Sequence, residues 1–129
     1  MNKIHLTLSV SPTPLAIVRL DASSPIPTWA TKGDEFFSIT KTKDELSIVC
    51  NEALVPSNVK VEKGWRYLKV EGPLDFGLTG ILSSLAAPLA EAKISIFAVS
   101  TFDTDYLLIK NENLERAIQI LGTFCKIKK

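Results

Sequence analysis

Two polar turns hold most of the side chains in this sequence that could bind a small molecule. The first, Gly72-Pro73-Leu74-Asp75, stands just before a helical pattern, and the second, Thr101-Phe102-Asp103-Thr104, joins two β-rich runs. The start of a helix offers backbone N–H groups without intrahelical partners, and these favour a carboxylate. The carboxylates of Asp103 and Asp105 favour an ammonium group or another cation. The pattern therefore predicts a site for a zwitterion where the two turns meet.

Each of these residues also has a purely structural interpretation. Asp75 is placed to cap the helix that follows it, and Phe102 could pack over its own hairpin. Asp103 and Asp105 flank Thr104 and could be ordinary turn residues, while a metal site made from two carboxylates alone is the weakest interpretation. At the level of the sequence these alternatives stay open.

The sequence gives no support for catalysis or for a metal site. Ser83 and Ser84 lie in a helical pattern without a base or an oxyanion partner, and His5 and Glu71 are too isolated to form an acid–base pair. Two cysteines and one histidine cannot supply the ligands of a zinc site. We therefore expect no catalytic residue, no metal and no cofactor.

Composition excludes several other classes of protein. The 129 residues are 46% hydrophobic and 22% charged, as in an ordinary folded domain, and a net charge of +1 gives no electrostatic case for nucleic acid. The amino terminus alternates polar and apolar residues, so it resembles neither a signal peptide nor a membrane span. Cys50 and Cys125 are best interpreted as reduced thiols, which predicts a cytoplasmic protein that binds no membrane.

Hydrophobic periodicity predicts an α+β fold with antiparallel sheets and helices on one face. A helix is expected over Gly77 to Ala92, with Asp75 as its N-cap, and a second helix capped by Asn111 is expected to end near Gly122. Strands are expected over Ile4–Val10, Leu15–Leu20, Phe36–Lys41, Leu46–Cys50, Trp65–Glu71, Ile94–Thr101 and Tyr106–Lys110. The last strand of a β-α-β-β-α-β unit could come from Thr123–Lys128 or from the amino terminus.

A weak internal repeat predicts two related units. Cys50-Asn51-Glu52-Ala53-Leu54 matches Lys110-Asn111-Glu112-Asn113-Leu114 with a shift of 60 residues, and two preceding strands recur in the same register. We therefore expect a degenerate first unit over residues 1–63 and a complete second unit over residues 64–129.

The motif string resembles the ACT domain family. Residues 71–80 (EGPLDFGLTG), residues 89–96 (LAEAKISI) and residues 100–106 (STFDTDY) carry the resemblance, which is clearest from Trp65 to about Leu121. The closest likeness is to the tandem ACT group that includes the cytosolic arginine sensors of animals, and a more distant one is to the regulatory domains of aspartate kinases. The resemblance implies two ferredoxin-like units and regulation by a small ligand, typically an amino acid, bound where two ACT units meet.

The resemblance also implies which residues contact the ligand. The family's Thr-Phe-x-x-Asp positions transfer to Thr101, Phe102 and Asp105. With the helix start and the neighbouring carboxylate, the expected ligand-binding set is Asp75, Phe76, Gly77, Leu78, Thr101, Phe102, Asp103 and Asp105.

The expected function is therefore amino acid sensing or regulation without catalysis. The alternative is an ACT scaffold that mediates dimerisation or protein interaction and binds no ligand. A homodimer is expected because Ile94 to Val99 carries apolar residues on both faces, and because Trp65 and Tyr67 place aromatic rings on one face of their strand.

Overall fold

The computed structural model describes residues 6–71 and 80–129, and contacts between residues divide the chain into two compact units. Thr13–Trp65 forms the first, which we call the continuous unit. Met1–Pro12 together with Arg66–Lys129 forms the second, which we call the split unit. The sequence-based boundary lay at residues 63 and 64, whereas the compact units meet in the chain at Pro12–Thr13 and Trp65–Arg66.

The continuous unit is a small antiparallel sheet that lacks an α-helix. Its strand order is β3-β4-β2-β5, and a short 3-10 helix at Thr28–Thr31 packs Ala30 and Trp29 against the buried side chains. Two prolines precede that helical turn, which limits it to a single turn. The strands of this unit are β2 (Leu15–Leu20), β3 (Ser38–Lys41), β4 (Leu46–Asn51) and the first part of β5 (Lys60–Val70).

The split unit has the β-α-β-β-α-β order that the sequence predicts, with one addition. Its strands follow the order β6-β7-β5-β1-β8, so the two candidates for the closing strand are used together. β1 pairs antiparallel with β5, and β8 pairs parallel with β1. Its elements are β1 (Leu6–Val10), the last part of β5, α1 (Ile81–Glu91), β6 (Ile96–Ser100), β7 (Asp105–Lys110), α2 (Leu114–Leu121) and β8 (Cys125–Lys128).

Strand β5 is longer than its hydrophobic pattern predicts, and it contains a bulge. Between the pairs Leu15–Trp65 and Ile17–Glu62, β5 uses one residue more than β2 does. Gly64 lies at this point with φ of 81°, a left-handed conformation that a residue without a Cβ adopts at little cost. The bulge lies just before the residue at which β5 passes from the continuous unit to the split unit.

Each unit has its own hydrophobic core. In the split unit, α1 and α2 cover one face of the sheet, and fully buried leucines from both the helices and the strands form the centre: Leu8, Leu68, Leu85, Leu89, Leu107 and Leu121. In the continuous unit the smaller core contains Val18, Leu46, Ile48 and Cys50. The α+β class, the antiparallel hairpins, the one-sided helices and the degenerate first unit are confirmed.

Helix α1 begins later than its periodicity suggests. Gly80 is its N-cap, with φ of 80°, and the expected cap Asp75 lies outside the described residues. At the other end Lys93 adopts φ of 62°, while the N–H of Lys93 donates to the carbonyl of Ala90 and the N–H of Ile94 to that of Leu89. These two bonds form a Schellman motif with lysine in the position that glycine usually occupies.

The expected helix cap at Asn111 is wrong. Asn111 opens a 3-10 turn whose N-cap is Lys110, and the side-chain oxygen of Asn111 accepts from Nη1 of Arg66 at 3.4 Å. The residue that the repeat placed opposite it does act as a cap, because the Asn51 side chain accepts from the N–H of Ala53 at 2.9 Å. The two asparagines therefore occupy neighbouring but different positions.

The internal repeat is real in structure, with a register that differs by one residue from the sequence match. Leu46 opens β4 and Asp105 opens β7, which is a shift of 59 residues. With this shift the buried run Ile48-Val49-Cys50 falls on the buried run Leu107-Leu108-Ile109. The matching Asn-Glu pairs drew the sequence alignment to 60, whereas the hairpin loops, each four residues long, set the structural register.

Candidate ligand-binding site

The turn between β6 and β7 is closed by one threonine, and we call residues Thr101–Thr104 the Thr101 turn. The N–H of Thr101 donates to the carbonyl of Thr104 at 2.8 Å. The Thr101 hydroxyl lies 3.1 Å from the same carbonyl and accepts from the N–H of Thr104 at 3.2 Å. Side chain and backbone thus both fix the turn, as Ser and Thr do where a chain reverses.

The chemical groups expected to bind a ligand surround this turn. Asp105 is half-buried at the first position of β7, and one of its carboxylate oxygens accepts from the Ser100 hydroxyl across the hairpin. Asp103 is exposed within the turn. Phe102 has 80% of its surface exposed, a large apolar group at the tip of a polar turn. The structure therefore brings Thr101, Phe102, Asp103 and Asp105 together.

A second element holds the turn in place. Thr104 is buried, with 7% of its surface exposed, and its hydroxyl donates to the carbonyl of Val70 in the last residue of β5. A buried hydroxyl normally finds such a partner, because an unpaired polar group in the interior is costly. The Thr101 turn is therefore fastened to the end of β5.

The end of β5 is itself held by β1. The N–H of Glu71 donates to the carbonyl of Thr7 at 2.8 Å, and the Glu71 carboxylate accepts from the Ser9 hydroxyl at 2.9 Å. Lys69 adds an ion pair to the same carboxylate oxygen at 3.9 Å. These contacts fix the chain at the point where it leaves the sheet.

The other half of the predicted site lies outside the described residues. Asp75, Phe76, Gly77 and Leu78 belong to residues 72–79, which separate Glu71 from Gly80. Their expected role stays a prediction.

Sequence reasoning missed Thr104 as a residue of this site. It treated the threonine as the spacer between two aspartates, because a hydroxyl in a polar turn carries no sign of burial. One signal was present: Thr104 falls two residues before Tyr106 and four before Leu108 in an alternating run, so it shares their strand periodicity.

The continuous unit contains a second turn of the same design, formed by residues Thr42–Glu45, which we call the Thr42 turn. The N–H of Thr42 donates to the carbonyl of Glu45 at 2.9 Å, and the Thr42 hydroxyl accepts from the N–H groups of Asp44 and Glu45. Here the turn is already bound to a cation, since Nη2 of Arg19 donates to the carbonyl of Asp44 at 3.1 Å.

The remaining chemistry of the described residues is sparse. Across residues 6–71 and 80–129 no group of three His, Cys, Asp or Glu side chains could hold a metal ion. Burial raises the pKa of the Cys50 thiol and that of the Cys125 thiol, so both resist conversion to the nucleophilic thiolate. In the same part of the chain, no helix is both long enough and apolar enough to cross a membrane.

Comparison with known proteins agrees with this architecture. The family model of the ACT domain matches residues 60–123, and a second family model, described as an N-terminal domain, matches residues 14–58. The two matches fall on the two sides of the division within β5.

Sequence relatives come from animals. The chain is 32% identical over 108 residues to the human "Cytosolic arginine sensor for mTORC1 subunit 1", covering 78% of this chain and 32% of that protein. It is 33% identical over 99 residues to the bovine protein of the same name, covering 68% of this chain and 30% of that protein. The chain thus spans about a third of the length of the curated relatives that it matches.

Solved structures extend the likeness to bacteria. A protein from Agrobacterium tumefaciens is 42% identical with a TM-score of 0.90, and the match covers 96% of this chain and 92% of that one. The aspartate kinase of Synechocystis has a TM-score of 0.65 at 15% identity, covering 95% of this chain and 27% of the enzyme, which is a likeness of fold alone. With its β-α-β-β-α-β split unit and these matches, the chain belongs to the ACT domain family.

Proposed function

We propose that this chain is a regulatory ACT protein that binds an amino acid at the Thr101 turn and has no catalytic activity. The observation that carries the proposal is the arrangement of the turn itself. A half-buried carboxylate on Asp105 and an exposed ring on Phe102 stand on a hairpin that is fastened to the end of β5. Such a rigid turn suits recognition, because little conformational entropy is lost when a ligand binds.

The charges of the turn favour a cationic group on the ligand. Asp103 and Asp105 can accept hydrogen bonds from an ammonium or a guanidinium group. The Thr42 turn offers an internal precedent, since its Asp44 carbonyl accepts from the guanidinium of Arg19. The corresponding carbonyl in the Thr101 turn belongs to Asp103, given the shift of 59 residues.

The carboxylate of the ligand is assigned to Asp75, Phe76, Gly77 and Leu78, which stay part of the proposed site. The relatives named as arginine sensors support a basic amino acid, although the chain matches about a third of their length. We therefore rank arginine and lysine first among the twenty amino acids. We also propose that the protein acts in the cytoplasm, as those relatives' name says of them.

A thermal-shift screen of the full chain against the twenty amino acids tests the function. A ligand at one hundred times its dissociation constant adds ~2.7 kcal/mol to the free energy of unfolding, which is readily seen as a raised Tm. If no amino acid raises the Tm, the sensing function is wrong and the scaffold without ligand binding is favoured.

Calorimetry of Asp105→Ala tests the site. We expect the variant to fold and to bind the amino acid identified in the screen ~1–3 kcal/mol more weakly, the usual cost of losing one charged hydrogen-bond partner. Asp44→Ala is the matched control, because it removes a carboxylate from the equivalent turn of the continuous unit. Wild-type affinity in Asp105→Ala would move the site elsewhere, and loss of folding would make Asp105 a structural residue.

We further propose that the chain forms a homodimer and that both units are ACT-like. Strand β6 supports the dimer: residues Ile96–Ser100 carry no charge, and within the described sheet β6 pairs with β7 alone. Uncharged edges of this kind tend to pair with another strand. Light scattering at micromolar concentration decides it, and a clean monomer would contradict the proposal.

A further inference from the structure

Thr104 differs from the other groups of the Thr101 turn in what it contacts. The closing bonds of the turn all involve the Thr101 side chain or the backbone. The Thr104 hydroxyl instead reaches out of the turn to the carbonyl of Val70, 34 residues away in the chain. Its bond therefore joins two elements and does not close the turn.

The Thr42 turn shows that closure does not need this hydroxyl. Its equivalent of Thr104 is Glu45, which is exposed, and its closing bonds are nevertheless the same as in the Thr101 turn. A turn of this type is thus stable through its first threonine alone. The Thr104 hydroxyl must then be explained by the position of the turn and not by its shape.

Burial sharpens the distinction. Within the described residues, Thr104 and Ser11 are the two polar residues with buried side chains. Asp105, the carboxylate of the proposed site, follows Thr104 directly and receives its own orienting bond from Ser100. A shift of the turn away from β5 would therefore carry the Asp105 carboxylate and the Phe102 ring with it.

We propose that Thr104 is a positioning residue of the ligand site: its hydroxyl fastens the Thr101 turn to the end of β5 and so holds Asp105 and Phe102 in the geometry that binds a cationic amino acid. This inference rests on the proposed function. It adds that affinity depends on a buried hydroxyl that does not touch the ligand.

Three variants of the full chain test the inference. Thr104→Val keeps the shape of the side chain but cannot donate, and Thr104→Ser keeps the donor. Thr123→Val is the control, because Thr123 also donates to a backbone carbonyl, that of Ile120 at 2.8 Å, at the end of α2. Calorimetry measures the affinity of each for L-arginine and L-lysine, and NMR measures hydrogen exchange at the Thr101 and Thr104 amides.

We expect Thr104→Val to bind about tenfold more weakly, while Thr104→Ser and Thr123→Val stay close to wild type. In Thr104→Val the two turn amides should exchange faster, and the Thr42 and Glu45 amides should not change. Equal affinity in wild type and Thr104→Val, or unchanged exchange at the turn, would overturn the inference. So would a loss in Thr104→Ser as large as that in Thr104→Val. A wild-type protein that binds neither amino acid would overturn the proposed ligand class, and the inference with it.

Discussion

The Thr42 turn and the Thr101 turn have the same closure and different surroundings. In each, a threonine N–H donates to the carbonyl three residues later, and the threonine hydroxyl accepts from an N–H within the turn. In the continuous unit the turn binds Arg19 of its own unit. In the split unit it is fastened to β5 and carries Asp105 and an exposed Phe102. Closure thus belongs to the turn sequence, whereas chemistry depends on the flanking residues.

The strands before the two turns carry the same parallel. Arg19 and Asp21 form an ion pair of 3.8 Å at the end of β2, and Lys69 and Glu71 form one of 3.9 Å at the end of β5. In both cases a base and an acid stand two residues apart. Duplication with later divergence explains this pattern, and the units then differ chiefly in the element that covers the sheet.

The largest expected effect compares the two cores. Leu107→Ala and Ile48→Ala remove equivalent buried side chains, and each should lower the free energy of unfolding by ~2–5 kcal/mol. Leu107 should lie near the upper limit because two helices fix its surroundings, whereas a single 3-10 turn over Ile48 can move into the space. Urea denaturation of the full chain measures both, and a larger loss for Ile48→Ala would contradict this view of the units.

The next effect compares two glycines. A Cβ on Gly122 would lie 2.8 Å from the carbonyl oxygen of Ile118, so Gly122→Ala should destabilise the split unit by ~1–3 kcal/mol. In the continuous unit, a Cβ on Gly33 would meet Leu54 at an ordinary 3.5 Å, so Gly33→Ala should change stability by less than ~1 kcal/mol. Thermal unfolding of the two variants separates them, and equal losses would show that the end of α2 yields.

A smaller effect tests the two turns directly. Thr42→Val and Thr101→Val each remove a closing hydroxyl and should each cost ~0.5–1.5 kcal/mol of stability. Only Thr101→Val should also weaken binding of L-arginine in calorimetry. If both variants weakened it equally, the Thr42 turn would be a ligand site as well.

The smallest effect concerns the buried thiol in each unit. Because burial raises the pKa of Cys50 and Cys125, the folded state keeps their protons at a pH where the unfolded state loses them. Their contribution to stability is therefore complete below ~8.5, the ordinary pKa of a thiol, and decreases as the pH rises above it.

Urea midpoints at pH 8 and pH 10 measure this change, with the double variant Cys50→Ala, Cys125→Ala as the reference. The wild type should lose more stability between the two values than the double variant does. Iodoacetamide at pH 8 should label both thiols slowly, and rapid labelling of either one would contradict the burial of that thiol.

Local elements were largely predictable from the sequence. The hairpins β3–β4 and β6–β7 follow from alternation, since each strand must bury one face. The early start of β5 was missed because Lys60, Glu62 and Lys63 hide the alternation. The antiparallel pairing of β1 with β5 and its parallel pairing with β8 depend on long-range contacts, which no local pattern specifies.

For the site, the sequence predicted which residues meet but not what holds them. Thr101, Phe102, Asp103 and Asp105 share one hairpin, so their proximity follows from the chain itself. The bond from Thr104 to Val70 and that from Arg66 to Asn111 join distant parts of the chain. A polar side chain gives little local sign of the partner it will find, and for this reason Asn111 was mistaken for a cap.

The parallel pairing of β1 with β8 has a consequence for synthesis. Leu6 pairs with Cys125 and Ser9 with Lys128, so β1 emerges from the ribosome long before its partner exists. The continuous unit, Thr13–Trp65, is complete much earlier and can fold while translation proceeds. Until then the apolar side chains Leu6 and Leu8 stay uncovered on the nascent chain, which is a hydrophobic signal of the kind that chaperones bind.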